Sequence, residues 1–277
     1  MKILAGIVSY NPDLARLREN ILAIAGQVEH TLVIDNASEN RENIRKLIAG
    51  MERVSLRSNT ENLGMATALN QIFTYAGDRG FEGVLTLDQD SVCRAGLIER
   101  YVSCLDETVG MLTCVIKDRN VAFAEFGNES QTEPEEVWRV ISSGAFCPVS
   151  VFRKVGGFDE RLFIDWVDFD FCARVREAGY TLLRVPFFGL LHELGNARAA
   201  SLFGRRVLVL GEALPRVYYR TRNMLYVTGQ HRGQYPRGFA ARAIFRDAVK
   251  ILLLEDNKRR RICALLRGIR DAGKLRR

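Results

Sequence analysis

The sequence predicts an α/β fold: a mostly parallel β-sheet with helices on both faces, followed by a C-terminal helical extension. Three observations carry this expectation. Through residue 88, short apolar runs of strand type alternate with stretches whose apolar residues recur at helical spacing, and a β-α-β-α-β-α-β order is the pattern of a parallel sheet. After Gly110 the apolar stretches shorten, at Met111–Ile116, Val121–Phe126 and Val137–Ile141, which predicts a mixed or antiparallel extension of the sheet. From Ala213 onward apolar residues recur with helical period among many arginines, which predicts two or more further helices.

Taken in order, Ile3–Ser9 reads as a buried strand. Pro12 suits the first turn of the helix that follows, whose apolar face is Leu14, Leu17, Ile21 and Ile24. Thr31–Asp35 is a second strand, and Ser38 is placed to cap a helix running through Ala49. Val54–Ser58 is a third strand, Met65–Ala76 a helix, and Val84–Leu87 a fourth strand. Ligands of such sheets bind just beyond the carboxyl ends of the strands. Binding residues are therefore expected at Ser9-Tyr10-Asn11, Asp35-Asn36, Asn59 and Asp88-Gln89-Asp90.

With 277 residues, 47% of them hydrophobic and 26% charged, the chain has the composition of an ordinary soluble globular protein. Its six cysteines form no Cys-x-x-Cys pair and no zinc spacing with histidine, which predicts reduced thiols in a cytoplasmic protein. The first apolar run is too short for a signal peptide, and no segment reaches the length of a transmembrane helix. Charge divides the chain at about residue 195. Residues 1–195 hold 20 Lys and Arg against 28 Asp and Glu, a net −8. Residues 196–277 hold 20 against 5, a net +15. The expectation is an acidic catalytic body over 1–195 and a basic helical extension over 196–277 that seeks an anionic partner, either a membrane surface or nucleic acid.

Asp88 and Asp90 carry the most specific chemistry. Residues i and i+2 of an extended chain point to one side, so the two carboxylates converge. They repel unless a cation lies between them, and hard ions such as Mg²⁺ take one or two carboxylates together with substrate phosphates. A polar turn is the alternative reading. His192 follows an apolar run, Leu182–Val185 and Phe187–Leu191, and its imidazole suits the site of a borderline metal such as Mn²⁺. Asp35 is suited to accept a hydrogen bond from a pyrimidine N3–H or a ribose hydroxyl, or else it starts a turn. Asn59 and Asn62 are within reach of a base or sugar, Asn62 alternatively capping the next helix, and Gly64 admits close backbone approach.

A second acidic cluster, Asp165-Trp166-Val167-Asp168-Phe169-Asp170, precedes a helix that Gly179 should stop. Asp165 and Asp168 have the spacing of an N-cap and its acidic partner. A carboxylate at a helix N-terminus, held ionised by the dipole beside apolar groups, also suits a general base.

Together these segments resemble the family-2 inverting glycosyltransferases of the GT-A fold, the Rossmann-like architecture of nucleotide-diphospho-sugar transferases. The resemblance runs through Ile7–Asn11, Val33–Ser38, Asn62-Leu63-Gly64, Asp88-Gln89-Asp90, Ser143–Phe146, Gly156–Asp159, Asp165–Arg174 and His192, about the first 195 residues. Phe163–Asp168 and the Asp-Gln-Asp version of the metal motif look most like bacterial rhamnosyltransferases, which build lipopolysaccharide or other surface polysaccharides from dTDP-rhamnose.

The resemblance implies Asp35 for base recognition, Asp88 at the ribose or metal, Asp90 and His192 as ligands of Mg²⁺ or Mn²⁺, and Asp168 as catalytic base. It places Ser143, Gly144 and Trp166 in a loop for the acceptor or donor sugar. The family often has Glu-Asp at the base, whereas Val167 precedes Asp168 here, so Asp165 remains a second candidate. The implied partners are a nucleotide-sugar donor, a saccharide or polyprenyl-linked saccharide acceptor, and an anionic membrane surface reached through the basic tail. UDP-hexose or UDP-galactofuranose are alternative donors, and a homodimer is one open assembly. A sugar nucleotidyltransferase would need a Gly-rich loop after the first strand, which Ser9-Tyr10-Asn11-Pro12 lacks. A nucleic-acid-binding module would not explain the acidic clusters, so nucleic acid is not an expected partner.

Overall fold

The computed structural model describes residues 1–120, 125–193, 195, 198–202, 205–209, 211 and 213–276. Its first half follows the expected alternation: β1 (Ile3–Ser9), α1 (Leu14–Ala25), β2 (His30–Asp35), α2 (Arg41–Ile48), β3 (Val54–Ser58), α3 (Gly64–Asp78) and β4 (Gly83–Asp88). β1 is flanked by β2 and β4, and β3 lies outside β2, all parallel. Alternate side chains of β1 feed two cores. Ile3, Ala5 and Ile7 pack with Leu17, Ile21 and Ile24 of α1 and Ile44 of α2. Leu4 and Val8 pack with Leu69, Ile72 and Phe73 of α3 on the other face. Burying each such large side chain contributes about 1.5–3 kcal/mol.

Two local expectations are corrected. Pro12 precedes α1, and Asp13 is the cap, its Oδ1 accepting from the N–H groups of Ala15 and Arg16. A carboxylate satisfies two of the orphan donors of a helix start, which proline cannot. Ser38 does not cap α2, which begins after Asn40; its hydroxyl accepts from the Asn11 N–H instead.

The second half comprises β5 (Val92–Cys93), α4 (Leu97–Ser103), β6 (Val109–Asp118), β7 (Glu125–Phe126), β8 (Glu135–Glu136), β9 (Ala145–Pro148), α5 (Val149–Val155), α6 (Val167–Glu177) and β10 (Thr181–His192). The main path of the sheet runs β3-β2-β1-β4-β9-β6-β10-β5. The four residues of β9 insert antiparallel between β4 and β6, so the extension is mixed, as expected. Residues 121–124 of the expected Val121–Phe126 strand lie outside the described residues. Val137–Ile141 is not a strand. Val140 is buried there against α6, its N–H and C=O both facing the Cys172 thiol at 3.4 and 3.5 Å. Its apolar character covers a helix rather than filling a ladder.

Gly179 ends α6 as expected. It takes φ +89°, and the N–H groups of Gly179 and Tyr180 return to the carbonyls of Arg176 and Val175. None of the six cysteines is in a disulfide.

The C-terminal part begins with an antiparallel hairpin that the sequence did not suggest, β11 (Arg198–Leu202) and β12 (Arg205–Val209). Three helices follow: α7 (Leu214–Gln230), α8 (Phe239–Leu254) and α9 (Lys258–Asp271). Met224, Tyr226 and Val227 of α7 share one core with α3 and α6, so residues on either side of position 195 pack together. α9 lies close on α7 at Gly268, where a Cβ would stand 2.7 Å from the Tyr218 carbonyl oxygen. No helix among the described residues is long and apolar enough to cross a membrane.

Candidate active site

The carboxyl ends of β1 and β2 place Ser9 and Asp35 side by side in register, both fully buried. Asp35 Oδ1 accepts from the Ser38 N–H at 3.2 Å, while Asp35 Oδ2 and Ser9 Oγ have no hydrogen-bond partner. Leaving a buried acceptor unmatched costs about 1–3 kcal/mol, which a donor on a bound ligand or water would offset. Tyr10 is half-exposed beside them, its N–H bonded to Gln89 Oε1 at 2.8 Å. Asn11 turns the chain at φ +47° and accepts from the Glu39 N–H.

The next three expected nucleotide contacts build the frame of the site. Asn59 exchanges hydrogen bonds with Gln71 and donates to Asn36 Oδ1 at 2.9 Å, so its amide is committed within the protein. Asn36 also accepts from the Leu63 N–H and donates to the Gly64 carbonyl, pinning the entry to α3. Asn62 Oδ1 accepts from the Gly64 N–H at 3.0 Å, the capping alternative. Gly64 takes φ +84°, and a Cβ there would stand 2.6 Å from the Phe163 carbonyl oxygen. The backbone that approaches Gly64 is that of Phe163, in the loop before α6.

Asp88, Asp90 and His192 do converge. His192, at the end of β10, has Nδ1 3.4 Å from Asp90 Oδ1 and Nε2 4.0 Å from Asp88 Oδ2. Ser91 and Ser143 brace the group: the two hydroxyls lie 2.6 Å apart, and Ser91 Oγ is 3.0 Å from His192 Nδ1. Ser143 also accepts from the Asp88 N–H, and Asn20 donates to the Asp88 carbonyl. Burial pushes the Asp88 carboxyl above its ordinary pKa, the His192 charge opposing and Asp90 reinforcing the rise. Burial disfavours the charged imidazole, but the carboxylates of Asp90, Asp88 and Asp118 overcome it and raise the His192 pKa.

Asp88 Oδ1 and Asp90 Oδ1 are buried without hydrogen-bond partners. A surplus of buried carboxylate with an orphan oxygen on each member fits a hard divalent cation. Among the described residues no three acidic, histidine or cysteine side chains are arranged so as to hold a metal ion by themselves. The two carboxylates and imidazole would thus be a partial shell, with positions left for water and phosphate.

The two base candidates differ in their surroundings. Asp168, in the first turn of α6, is partly buried; its Oδ1 accepts from the Phe169 N–H and its Oδ2 from the Ser142 N–H at 3.3 Å. Burial raises its pKa to about 7, the two backbone hydrogen bonds opposing, so desolvation dominates over the expected stabilisation by the helix terminus. A base near neutrality suits proton removal at physiological pH. Asp165 is not the N-cap; Trp166 occupies that position, without a capping side chain. Asp165 instead forms a two-pronged pair with Arg216 of α7, at 2.5 and 3.3 Å.

Ser143 is fully buried, Gly144 takes φ +75° against Leu190, and Trp166 packs among Phe169, Tyr235 and Phe239. Ser91, Asn20 and Ser142 carry no functional signal in the sequence, although Ser91 adjoins the acidic pair. Arg216, Arg222 and Asn223 were read only as part of a basic tail, because their partners lie more than fifty residues away.

Residues 5–168, more than half of the chain, match the profile of glycosyl transferase family 2. The chain belongs to that family. It is a glycosyltransferase, and its sheet, with strand-end acidic residues and following helices, is the GT-A fold. The chain is 29% identical over 236 residues to dTDP-rhamnosyl transferase RfbF of Shigella flexneri, covering 80% of this chain and 78% of that protein. The fold also matches the S. aureus TarS 1–349 structure in complex with UDP-GlcNAc, with a TM-score of 0.64 at 15% identity over 98% of this chain and 81% of that one. GalNAc-T7 with UDP, GalNAc and Mn²⁺ matches with a TM-score of 0.60 at 14% identity, over 99% of this chain and 57% of that one.

Proposed function

We propose that this family-2 enzyme is a divalent-metal-dependent inverting transferase. It moves L-rhamnose from dTDP-rhamnose to a hydroxyl of a saccharide or polyprenyl-linked saccharide during bacterial surface-polysaccharide synthesis. The observation that carries the reaction type is the pairing of two sites. The carboxylate oxygens of Asp88 and Asp90 that lack hydrogen-bond partners lie at the end of β4, and a partly buried carboxyl poised near neutrality, Asp168, stands within electrostatic reach of Asp88. Similarity to the Shigella rhamnosyl transferase favours the donor. Asp35 would take the N3–H that thymine and uracil share, so this contact alone does not choose between dTDP and UDP sugars.

In this mechanism Asp168 accepts the acceptor's hydroxyl proton as the oxygen attacks the anomeric carbon. The bond from that carbon to the phosphate oxygen breaks, the nucleoside diphosphate departs with the electron pair, and the configuration inverts. Asp88, Asp90 and His192 would hold Mg²⁺ or Mn²⁺, which supplies positive charge for the departing diphosphate. Holding donor and acceptor together removes much of the entropic barrier. Thermal shift against a panel of sugar nucleotides with Mg²⁺ or Mn²⁺, followed by NMR of the product's anomeric proton, tests the reading. A response confined to UDP-hexoses or UDP-galactofuranose overturns the donor, and a retained anomeric configuration overturns the mechanism.

The working place we assign is the cytoplasmic face of an anionic membrane. Residues 239–276 carry 11 Lys and Arg against 4 Asp and Glu. On the same two helices Phe245, Leu252, Leu253 and Leu266 are 72%, 52%, 51% and 57% exposed. Basic residues interleaved with exposed apolar ones suit an interfacial helix pair, whereas a second copy of this face would bring like charges together. Flotation with phosphatidylcholine vesicles, with and without phosphatidylglycerol, tests this. Binding only with the anionic lipid is expected, and no binding to either refutes it.

A further inference from the structure

The loop that delivers Asp168 is held in an unfavourable conformation. Phe163, Asp165 and Trp166 all have positive φ, at 60°, 62° and 67°. At Phe163 the ψ of −65° and the bond from the Ile164 N–H to the Leu162 carbonyl, 2.7 Å, make the rare, strained γ-turn. Side chains with a Cβ adopt such backbones only where surrounding contacts over-determine them, typically at functional sites.

Those contacts come largely from α7, beyond the residues that match the family profile. Asn223 is fully buried, and its Nδ2 donates to the carbonyls of Leu162, Ile164 and Asp165 at 2.7, 2.8 and 2.8 Å. Arg222 fixes which way that amide faces, its Nε donating to Asn223 Oδ1 at 2.9 Å and its Nη2 to the Arg161 carbonyl at 2.9 Å. Arg216 grips the Asp165 side chain about two turns before Asn223 on the same helix. At the far end of α7, His231 bonds to Asp170 and Glu177 of α6 at 3.0 and 2.8 Å. One helix therefore holds the loop before Asp168 and the helix after it.

We propose that Asn223 is a positioning residue for catalysis, a clamp that gathers three carbonyls of the strained loop and thereby fixes the direction in which Asp168 faces the acceptor hydroxyl. The inference deepens the reading of Asp168 as base and rests on it. If that reading failed, Asp168→Asn would stay active; if only the clamp failed, Asp168→Asn would be dead and Asn223 variants active.

The test uses the full-length enzyme, Asn223→Ala and Arg222→Lys, the second keeping the charge while losing the fork. For Asn223→Ala, kcat should fall about 10²-fold, the scale of a misplaced reacting group, while the Kd for dTDP measured calorimetrically stays within threefold. The pH midpoint of kcat should move to lower pH, because a loosened loop admits water around Asp168. Arg222→Lys should show the same signature at about tenfold. A variant with lowered Tm but unchanged kcat and midpoint, or with dTDP affinity lost in step with kcat, overturns the proposal. If Asn223→Ala does not fold, Arg222→Lys decides by the same two readouts.

Discussion

Replacing Asp168 by Asn should kill the enzyme and stabilise the protein at alkaline pH. The side chain is partly buried, and its pKa is raised from 3.8 to about 7 chiefly by desolvation. Because the folded value lies above the unfolded one, the native state holds a proton that the unfolded chain releases between about pH 4 and 7. Stability is undiminished below that window, declines across it, and carries the full ionisation penalty above it. The gap corresponds to roughly 4 kcal/mol at pH 8 and to about 1.7 kcal/mol at pH 5. Asparagine cannot ionise, so the variant escapes both penalties. It also loses one acceptor, leaving the Ser142 or Phe169 N–H unmatched at a pH-independent cost of about 1 kcal/mol. Urea unfolding of both proteins in divalent-free buffer at pH 5 and pH 8 should show the variant's relative stability rising by about 2.5 kcal/mol between the two. A pH-independent difference would refute the desolvation argument. In parallel, wild-type kcat/KM should climb with pH through about 7, and the variant should bind dTDP normally yet transfer no sugar.

Chelation with EDTA should stop transfer, with Mg²⁺ or Mn²⁺ restoring it, and Asp90→Asn should abolish the metal-dependent rise in Tm; an EDTA-insensitive enzyme would remove the metal role. Asp35→Ala should weaken dTDP binding about 10-fold or more by calorimetry, since it removes a buried acceptor awaiting a partner. Gly64→Ala should cost about 2–4 kcal/mol in chemical denaturation, combining a left-handed backbone with collision against Phe163. It should lower kcat more than dTDP affinity, because the displaced loop leads to Asp168.

The parallel half was legible because strand and helix periods are local. Ile3–Ser9 and Val54–Ser58 appear at the residues their composition marks, and the i, i+2 spacing of Asp88 and Asp90 brought them together with His192. Signals that depend on a partner far away were not legible. β9 is four residues long and gains its place only between β4 and β6. Val140 has strand-like chemistry but spends it on Cys172. The close approach of Phe163 to Gly64 was not legible because the two are 99 positions apart. The arginines of α7 gave only a net charge, since nothing local distinguishes a guanidinium that grips Asp165 from one that faces solvent.

The turn leading into β9 sets a tolerance for the reaction. Ser142 donates its N–H to Asp168, and Ser143, the next residue, accepts from the N–H of Asp88. The proposed proton acceptor and the proposed leaving-group end of the site are thus tied to adjacent residues, whose Cα atoms are ~3.8 Å apart across a trans peptide. Displacement with inversion demands that attacking and departing atoms stay opposed within a fraction of an ångström, and soft packing alone drifts by more than that. Here the separation is read off a covalent ruler. Loop exchange around this turn should therefore alter which sugars and acceptors fit before it alters the stereochemistry of the bond that is made.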